Sequence, residues 1–254
     1  LGQDVKNGAR PRQGACDDSP TAVCQMPLVA QRNALAARAM NDTALTLTQL
    51  PLFPLGTVLF PGGRLPLRVF EVRYLDMVRR CHEAGAPFGV VALRQGREVQ
   101  VAGAPDEQLE PVGTLAHLTS LSQEQPGLLS IECRGAQRFR VDRHSRLKHG
   151  LWVADVTLLA DDPAVALPDD LAAVAQALRQ VRANLNARPG SEGAFNDDDA
   201  HYGDCAWVAN RWCELLPLPT GTRQQLMSLD NPLLRLELVA DVLAKAGIGN
   251  ADAE

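Results

Sequence analysis

The stretch PLFPLGTVLFPGGRLPLRVFEVRYLDMVRRC, residues 51–81, carries most of the information about the fold of this chain. Its first part has short apolar runs that end at Pro61-Gly62-Gly63, a combination typical of a turn between strands. From Phe70 to Cys81 the apolar residues recur at helical spacing, and Gly85 follows where a helix C-terminus favours glycine. The stretch therefore predicts strands followed by one helix.

The rest of the chain divides into a strand-rich part and a helical part. FGVVAL at 88–93, VGTLAHLTSL, GLLSIECRG, QRFRVDRH and LWVADVTLL are short apolar segments separated by turn residues. From Pro168 the period becomes helical, and the last helix is expected to begin at Asn231-Pro232, an N-cap followed by proline at the first helical position. We predict an α+β fold, with a small bent β-barrel or paired sheets over 46–165, one embedded helix, and a helical bundle over 166–248.

Residues 1–45 differ in composition from the remainder. They mix Gly, Pro, Asp, Asn and Arg with almost no apolar periodicity, which predicts a disordered arm. Because Met40 precedes the first structured segment, we hypothesise that the arm is an upstream extension or a cloning remnant; a functional flexible tail is the alternative. Deletion of residues 1–40 is then expected to leave the melting temperature unchanged, and a drop of several degrees would contradict the hypothesis.

Composition excludes some classes of partner. The chain of 254 residues carries a net charge of −5 and has only 4% aromatic residues, which argues against general adhesion to nucleic acid or to anionic membranes. No apolar run of 18 residues and no signal-peptide pattern is present, so no membrane partner is expected. The six cysteines form no C-x-x-C, and we expect a reduced, cytoplasmic protein.

No motif in the sequence carries recognisable catalytic chemistry. Phosphate-binding glycine loops, a G-x-S-x-G elbow and an H-E-x-x-H pair do not occur, and the three lysines are not placed for a Ser-Lys dyad. We therefore predict no catalytic residue, no cofactor and no enzyme, with a cryptic hydrolase as the weaker alternative. His201 and Cys205 are one helical turn apart, but Cys213 lies about 12 Å further along the axis, so we predict core packing and not a metal site.

A basic stretch runs through the last strands. Arg138 and Arg140 are predicted to face outward and Phe139 and Val141 inward, because side chains alternate along a strand. A solvated strand face explains such a pattern, and an RNA-binding strip over 134–149 is the alternative. The candidate basic surface comprises Arg134, Arg138, Arg140, Arg143, Arg146 and Lys148.

An ordered set of short motifs resembles a known family. P-L-F-P-L, L-F-P-G, F-E-x-R-Y, V-G-T and G-x-x-R-F, together with the C-terminal helical segments, are similar to the Lon substrate-binding domain over about 50 to 246. The resemblance implies a PUA-like β-barrel packed against a helical bundle. We expect the signature residues to be structural more than functional; they are Pro54, Pro61, Gly62, Glu71, Arg73, Tyr74, Gly113, Gly135, Arg138 and Phe139.

The same resemblance implies a binding function. In Lon proteases this domain recognises unfolded or tagged substrates, while separate ATPase and peptidase domains process them, and the motifs of both are missing here. We therefore expect a stand-alone, non-catalytic module, a monomer or weak dimer. Its expected partner is unfolded or extended polypeptide, or a protease or chaperone. Polypeptide would be bound by strand addition or by packing into a groove, although no motif marks the cleft.

Overall fold

Five strands close into a barrel, and a sixth is attached to its side. The computed structural model describes residues 45–96, 107–188 and 198–248, all within one compact unit, Ala44–Glu254. The predicted disordered arm lies outside the described residues. The strands are β1 (Thr46–Leu55), β2 (Arg64–Val69), β3 (Phe88–Gln95), β4 (Gln108–Gln125), β5 (Leu128–Arg146) and β6 (Trp152–Leu158).

The order of the strands explains the closure. Their order is β2-β5-β4-β3-β1-β6, and β5 also pairs with β6, which closes β5, β4, β3, β1 and β6 into a barrel and leaves β2 attached outside it. β5 can do this because it is long and bent: its first part, 129–134, pairs with β2, and its last part, 139–146, pairs with β6. β1 and β3 pair in parallel, whereas the other pairs are antiparallel. Of the two predicted arrangements, the barrel is therefore the correct one.

The embedded helix α1 (Val72–Ala84) closes one face of the barrel. Its apolar stripe, which includes Tyr74, Met77 and Val78, is buried against a cluster of strand side chains. Gly85 ends the helix in the left-handed conformation at φ 60°, and its N–H donates to the His82 carbonyl. The predicted helix and its glycine cap are confirmed.

The C-terminal part is helical, as predicted. The α-helices are α2 (Ala172–Asn186), α3 (Cys205–Leu215), α4 (Thr220–Ser228) and α5 (Pro232–Lys245), and short 3-10 turns precede α2 and α3. The Asn231 side chain accepts hydrogen bonds from the N–H groups of Leu233 and Leu234, which confirms the predicted N-cap. No helix among the described residues is both long and apolar enough to cross a membrane.

Apolar packing joins the helices to the barrel. The largest cluster contains Leu178, Val208, Trp212 and Leu236 from the helices and also Phe60 from the chain between β1 and β2. Two other clusters fill the barrel, one beneath α1 and one around Phe139. The largest cluster therefore contains side chains of both the strand-rich part and the helices, and the predicted α+β fold is confirmed.

Candidate functional site

Arg138 ties the barrel to the helices from inside the molecule. Only 3% of its surface is exposed, and its guanidinium donates to the carbonyls of Met227 (3.0 Å) and Leu229 (3.1 Å) at the end of α4. The prediction that Arg138 faces solvent is wrong. Strand alternation would place it outside the barrel, but the helical part covers that side of β5, and the unpaired carbonyls of a helix end supply acceptors for its charge.

Asp162 completes this buried junction. Its carboxylate accepts hydrogen bonds from Arg138 (3.0 Å) and from Arg235 on α5 (2.6 Å and 3.1 Å). Arg235 is 1% exposed and also donates to the Asn210 side chain at 2.9 Å. The exposed Asp230 carboxylate also lies 3.2 Å from the Arg138 guanidinium. Asp162 therefore partly compensates both buried cations, and we assign this cluster a structural role.

Two of the signature glycines stand where a side chain has no space. A Cβ on Gly113 would lie 2.6 Å from the Phe139 ring, and one on Gly135 would lie 2.2 Å from the Phe60 carbonyl oxygen. Gly62 adopts φ 73°, which favours glycine, in the turn where the Pro61 carbonyl accepts a hydrogen bond from Arg211. Pro54 lies in β1 opposite Val91 of β3. These signature residues shape the barrel and its contact with α3.

The F-E-x-R-Y motif holds the turn between β5 and β6. Arg73 is buried at the start of α1, pairs with Glu71 at 3.0 Å and donates to the Gly150 carbonyl at 2.9 Å. Arg146 donates to the same carbonyl at 3.3 Å, so two guanidinium groups fix the β5–β6 turn, residues 147–151. Tyr74 stacks on Phe53 at 4.1 Å between ring centroids, and burial raises the pKa of its hydroxyl.

A buried carboxylate supports this arrangement. Glu107 lies 3.9 Å from the Arg73 guanidinium and 3.8 Å from that of Arg146, and it accepts a hydrogen bond from the Trp152 indole. The two cations can therefore approach the same carbonyl, because Glu71 and Glu107 offset their repulsion. The motif positions the turn and α1 relative to each other.

A groove of about 470 Å3 lies between α1 and the β5–β6 turn. Its floor is apolar and includes Pro51, Met77, Leu151 and Val153. Cys81 also lines it, and burial raises the pKa of the thiol, so this sulfur stays protonated and apolar near neutral pH. The volume is within the range of about 300 to 1,000 Å3 that is usual for ligand sites.

The mouth of the groove exposes apolar side chains. Val72, at the start of α1, is 72% exposed, and Leu147, on the β5–β6 turn, is 38% exposed. Phe70, just before α1 and outside the groove lining, is 56% exposed, although its helical spacing predicts a place on the buried stripe of the helix. Exposed apolar side chains around an apolar cleft are typical of a surface that binds another molecule.

A second cavity lies in the helical part. It has a volume of about 530 Å3 and is lined by Gln176, Arg179 and Tyr202. The Arg179 guanidinium already contacts Asp199 at 3.4 Å and lies 4.5 Å from the centroid of the Tyr202 ring. Polar and charged side chains make up a larger share of its lining than in the groove beside α1, and some of them already contact one another, so this cavity is the weaker candidate.

The free edge of β2 is blocked for strand addition. In the described chain, β2 pairs only with β5. The Gly135 N–H of β5 donates to the Gly63 carbonyl just before β2. Because hydrogen-bonded pairs alternate along an antiparallel ladder, Leu65, Leu67 and Val69 also bond to β5. The backbone of Pro66, between two of these positions, faces the free edge. A proline there offers no N–H to an added strand.

The outer end of β4 is irregular. Beyond Ala116 it has no partner on the side of β3, and the ladder with β5 shifts register between Leu118 and Ser120 and again between Gln123 and Gln125. Bulges of this kind interrupt the regular row of donors and acceptors that an added strand requires. Neither the free edge of β2 nor the outer end of β4 is therefore a regular template for an added strand.

The predicted basic surface does not form a free cationic strip. Arg138 is buried, Arg140 pairs with Asp142 at 3.5 Å, Arg143 pairs with Asp155 at 3.0 Å, and Arg146 lies 3.8 Å from Glu107. Only Arg134 and Lys148 of the six are exposed without an ion pair to a described residue. The alternative of an RNA-binding strip over 134–149 is not supported by this arrangement.

The residues weighed as metal ligands pack into the helical part. Cys205 and Cys213 are buried in the largest apolar cluster, which confirms their predicted packing, and His201 stacks on Trp207 at 5.4 Å. Burial raises the pKa of the Cys213 thiol to about 12. Within the described ranges, no three His, Cys, Asp or Glu side chains are grouped as a metal site would require.

The groove is the feature that sequence reasoning did not locate. Its floor comes from β1, α1 and the chain after β5, which are far apart in sequence. One signal was available: Val72 is an apolar residue outside the buried stripe of α1. Of the signature residues, Arg73 lines the groove and Glu71 pairs with it from outside the lining, whereas Gly113, Gly135 and Phe139 lie elsewhere in the barrel.

Comparison with known proteins relates the whole described unit to one family. The sequence model described as the ATP-dependent protease La (LON) substrate-binding domain matches residues 49–245. Lon protease 2 of Herpetosiphon aurantiacus is 27% identical over 210 residues, which cover 80% of this chain and 24% of that protein. The chain thus spans about a quarter of the length of this curated relative.

Solved structures show the same fold. The crystal structure of a Lon N-terminal domain protein from Xanthomonas campestris is 33% identical and superposes with a TM-score of 0.59, covering 77% of this chain and 98% of that chain. The N-terminal domain of Mycobacterium avium complex Lon protease is 16% identical with a TM-score of 0.50 and the same two coverages. These relatives share the barrel with its helical extension.

Proposed function

Because the chain belongs to the Lon substrate-binding domain family, we propose that it binds unfolded or extended polypeptide, and that the groove between α1 and the β5–β6 turn is the binding site. The proposal assigns this chain a recognition role and no chemical step. It leaves any processing of the bound polypeptide to other domains or proteins, such as a protease or a chaperone.

The observation that carries the proposal is the exposed apolar mouth over an apolar floor. Val72 and Leu147 stand on opposite walls, and both would be removed from water by an apolar side chain seated on Met77 and Leu151. Burying apolar surface contributes roughly 25 cal/mol per Å2, so even one large side chain would add usefully to affinity. Unfolded polypeptides expose such side chains, whereas folded proteins bury most of them.

Groove packing is the mode of binding that the chain supports better. Strand addition requires a regular free edge, and here Pro66 blocks β2 while register shifts interrupt the end of β4. The groove needs no such edge, since its side chains and not its backbone provide the contact. Of the two modes expected from the sequence, we therefore propose packing into the groove.

The proposal also assigns no covalent catalysis to the four cysteines that the structure describes, and it includes a reducing location. Cys81, Cys133, Cys205 and Cys213 are buried free cysteines, and burial raises the pKa of each, to about 12 for Cys133. A thiol with a raised pKa is a poor nucleophile. Buried free thiols also suit a compartment such as the cytoplasm, where disulfides are rare.

The experiment is a binding titration with unfolded casein. Val72→Asp places a charge at the mouth of the groove and is expected to weaken binding about tenfold or more, because a carboxylate there keeps the surface hydrated. Leu234→Asp is the matched control, since Leu234 is an exposed leucine on α5 outside the groove. Equal loss of binding in both variants, or no binding by the unaltered chain, would contradict the proposal.

A further inference from the structure

The rim of the groove carries cations that the protein itself does not neutralise. Arg80, two turns along α1 from Val72, lines the groove and is exposed. No carboxylate of the described residues lies within 4.0 Å of its guanidinium. Lys148 lies in the β5–β6 turn between the groove-lining residues Leu147 and His149. It is also exposed and has no ion pair with any described residue.

The cations around the groove outnumber the acidic groups near them. Asp76 lines the groove, is exposed and lies 3.9 Å from Arg79, while Glu71 and Glu107 lie beside Arg73 and Arg146. The free charge of the rim is therefore positive, although the chain as a whole carries a net charge of −5. A local excess of this sign beside an apolar cleft favours a partner with the opposite charge at the corresponding position.

Resting on the proposed function, we propose that the groove selects polypeptide segments in which a carboxylate lies within a few residues of the apolar side chain that fills it. The apolar side chain rests on the floor beside Met77 and Leu151, and Arg80 binds the neighbouring carboxylate at the rim. Lys148, in the β5–β6 turn beside the groove, adds a second attraction for the same carboxylate. The substrate class is thus an apolar segment with acidic flanks.

The magnitude of this preference follows from the exposure of the cations. An exposed ion pair contributes little in water, so each pair changes affinity by about two- to fivefold. With Arg80 and Lys148 acting together, an acidic flank is expected to bind about three- to tenfold more tightly than a neutral one. Salt screens such pairs, and the preference should largely vanish at about 1 M salt, where the screening length is about 3 Å.

Three fluorescein-labelled peptides test the proposal. They share one apolar centre, and their flanking residues are Glu, Gln or Lys; fluorescence anisotropy gives the Kd of each for the full chain. Arg80→Gln is expected to reduce the ratio of the Gln-peptide Kd to the Glu-peptide Kd by at least about twofold. Arg134→Gln is the matched control, because it removes one exposed, unpaired charge that does not line the groove.

The outcomes separate this inference from the function on which it rests. Equal Kd values for the three peptides, or a preference that Arg80→Gln leaves unchanged, would overturn the acidic preference and leave polypeptide binding intact. Tighter binding of the Lys peptide would also overturn it. If neither the peptides nor casein bind, the proposed function fails, and the acidic preference fails with it.

Discussion

Asp162 shows how much a single side chain can contribute to this structure. It is the carboxylate that faces both Arg138 and Arg235, two guanidinium groups that are almost completely removed from water. Breaking a buried ion pair from one side leaves an uncompensated charge, and this typically costs about 3 to 5 kcal/mol. The junction between barrel and helices therefore depends on this residue.

We expect Asp162→Asn to lower the free energy of unfolding by about 3 kcal/mol or more, because the amide cannot offset the two cations. Urea denaturation followed by circular dichroism measures the change. The adjacent Asp161→Asn is the control, since Asp161 is exposed and should change stability by less than about 0.5 kcal/mol. Similar midpoints for the two variants would show that the junction contributes no such stabilisation.

At Gly113 the structure leaves no space for a side chain. Gly113→Ala should destabilise the barrel by about 2 kcal/mol or more, because the new methyl group meets the Phe139 ring and the Val90 carbonyl, both at 2.6 Å. Thermal unfolding provides the measurement. Gly221→Ala in α4, with no atom within 4 Å, is expected to be neutral or up to about 1 kcal/mol more stable. A loss of stability in Gly221→Ala equal to that of Gly113→Ala would contradict the steric explanation.

Single residues also mark where sequence reasoning failed. Phe139 could be predicted to lie inside because strand alternation and hydrophobicity agree. Arg138 could not, since its burial depends on carbonyls of α4 that are about 90 positions away and on Asp162. Alternation of side chains predicts which residues of a strand share one face of the sheet. It does not predict which face the helices will cover.

At the scale of elements, the positions of β1, α1, β3 and the four C-terminal helices could be predicted from periodicity and capping residues. Gly85 and Asn231 are local signals, and their capping geometry agrees with the prediction. For the extended hairpin of β4 and β5, which are 18 and 19 residues long, the sequence pattern predicts only several short strands. Polar residues interrupt the apolar pattern there because much of the hairpin faces water.

The edge of β2 gives a prediction about association. Pro66→Thr restores an outward N–H between Arg64 and Arg68, so the variant is expected to self-associate more strongly than the unaltered chain. Sedimentation velocity over a concentration series detects the change. Pro163→Thr, at an exposed proline outside the strands, is the control. If both variants sediment like the unaltered chain, Pro66 does not protect this edge.

At the scale of the whole molecule, buried thiols make the free energy of unfolding depend on pH in the alkaline range. Burial raises the pKa of Cys133 and Cys213 from 9.0 to about 12, so the folded state retains protons that the unfolded state loses. This stabilisation is complete below pH 9 and is lost as the pH rises toward 12. Within that window, each buried thiol lowers the free energy of unfolding by about 1.4 kcal/mol per pH unit.

We therefore expect the free energy of unfolding to change little between about pH 6 and 8 and to fall above about pH 9. Cys133→Ala lowers the stability at neutral pH, since it leaves a cavity, but it should make the alkaline decline shallower by about 1.4 kcal/mol per pH unit. Urea titrations at several pH values test both statements. An alkaline slope identical in the two proteins would contradict the burial of this thiol.

The groove forms between segments that are far apart in sequence, which explains why the sequence alone does not reveal it. Its walls come from α1 and from a turn about 70 residues later, and Arg73 joins them through the Gly150 carbonyl. The motif residues Glu71, Arg73 and Tyr74 could be recognised in the sequence, but their common effect is visible only after folding. A motif expected to be structural thus positions the wall of the proposed site.

Hydrogen–deuterium exchange of the full chain, with and without saturating unfolded casein, tests the central claim most directly. Bound casein is expected to slow exchange in the β5–β6 turn, residues 147–151, and around Gln49 at the groove, while exchange at the β2 edge and in the helical part stays unchanged. Unchanged exchange at the turn, with protection confined to 64–69 or 117–125, would contradict the groove as the binding site.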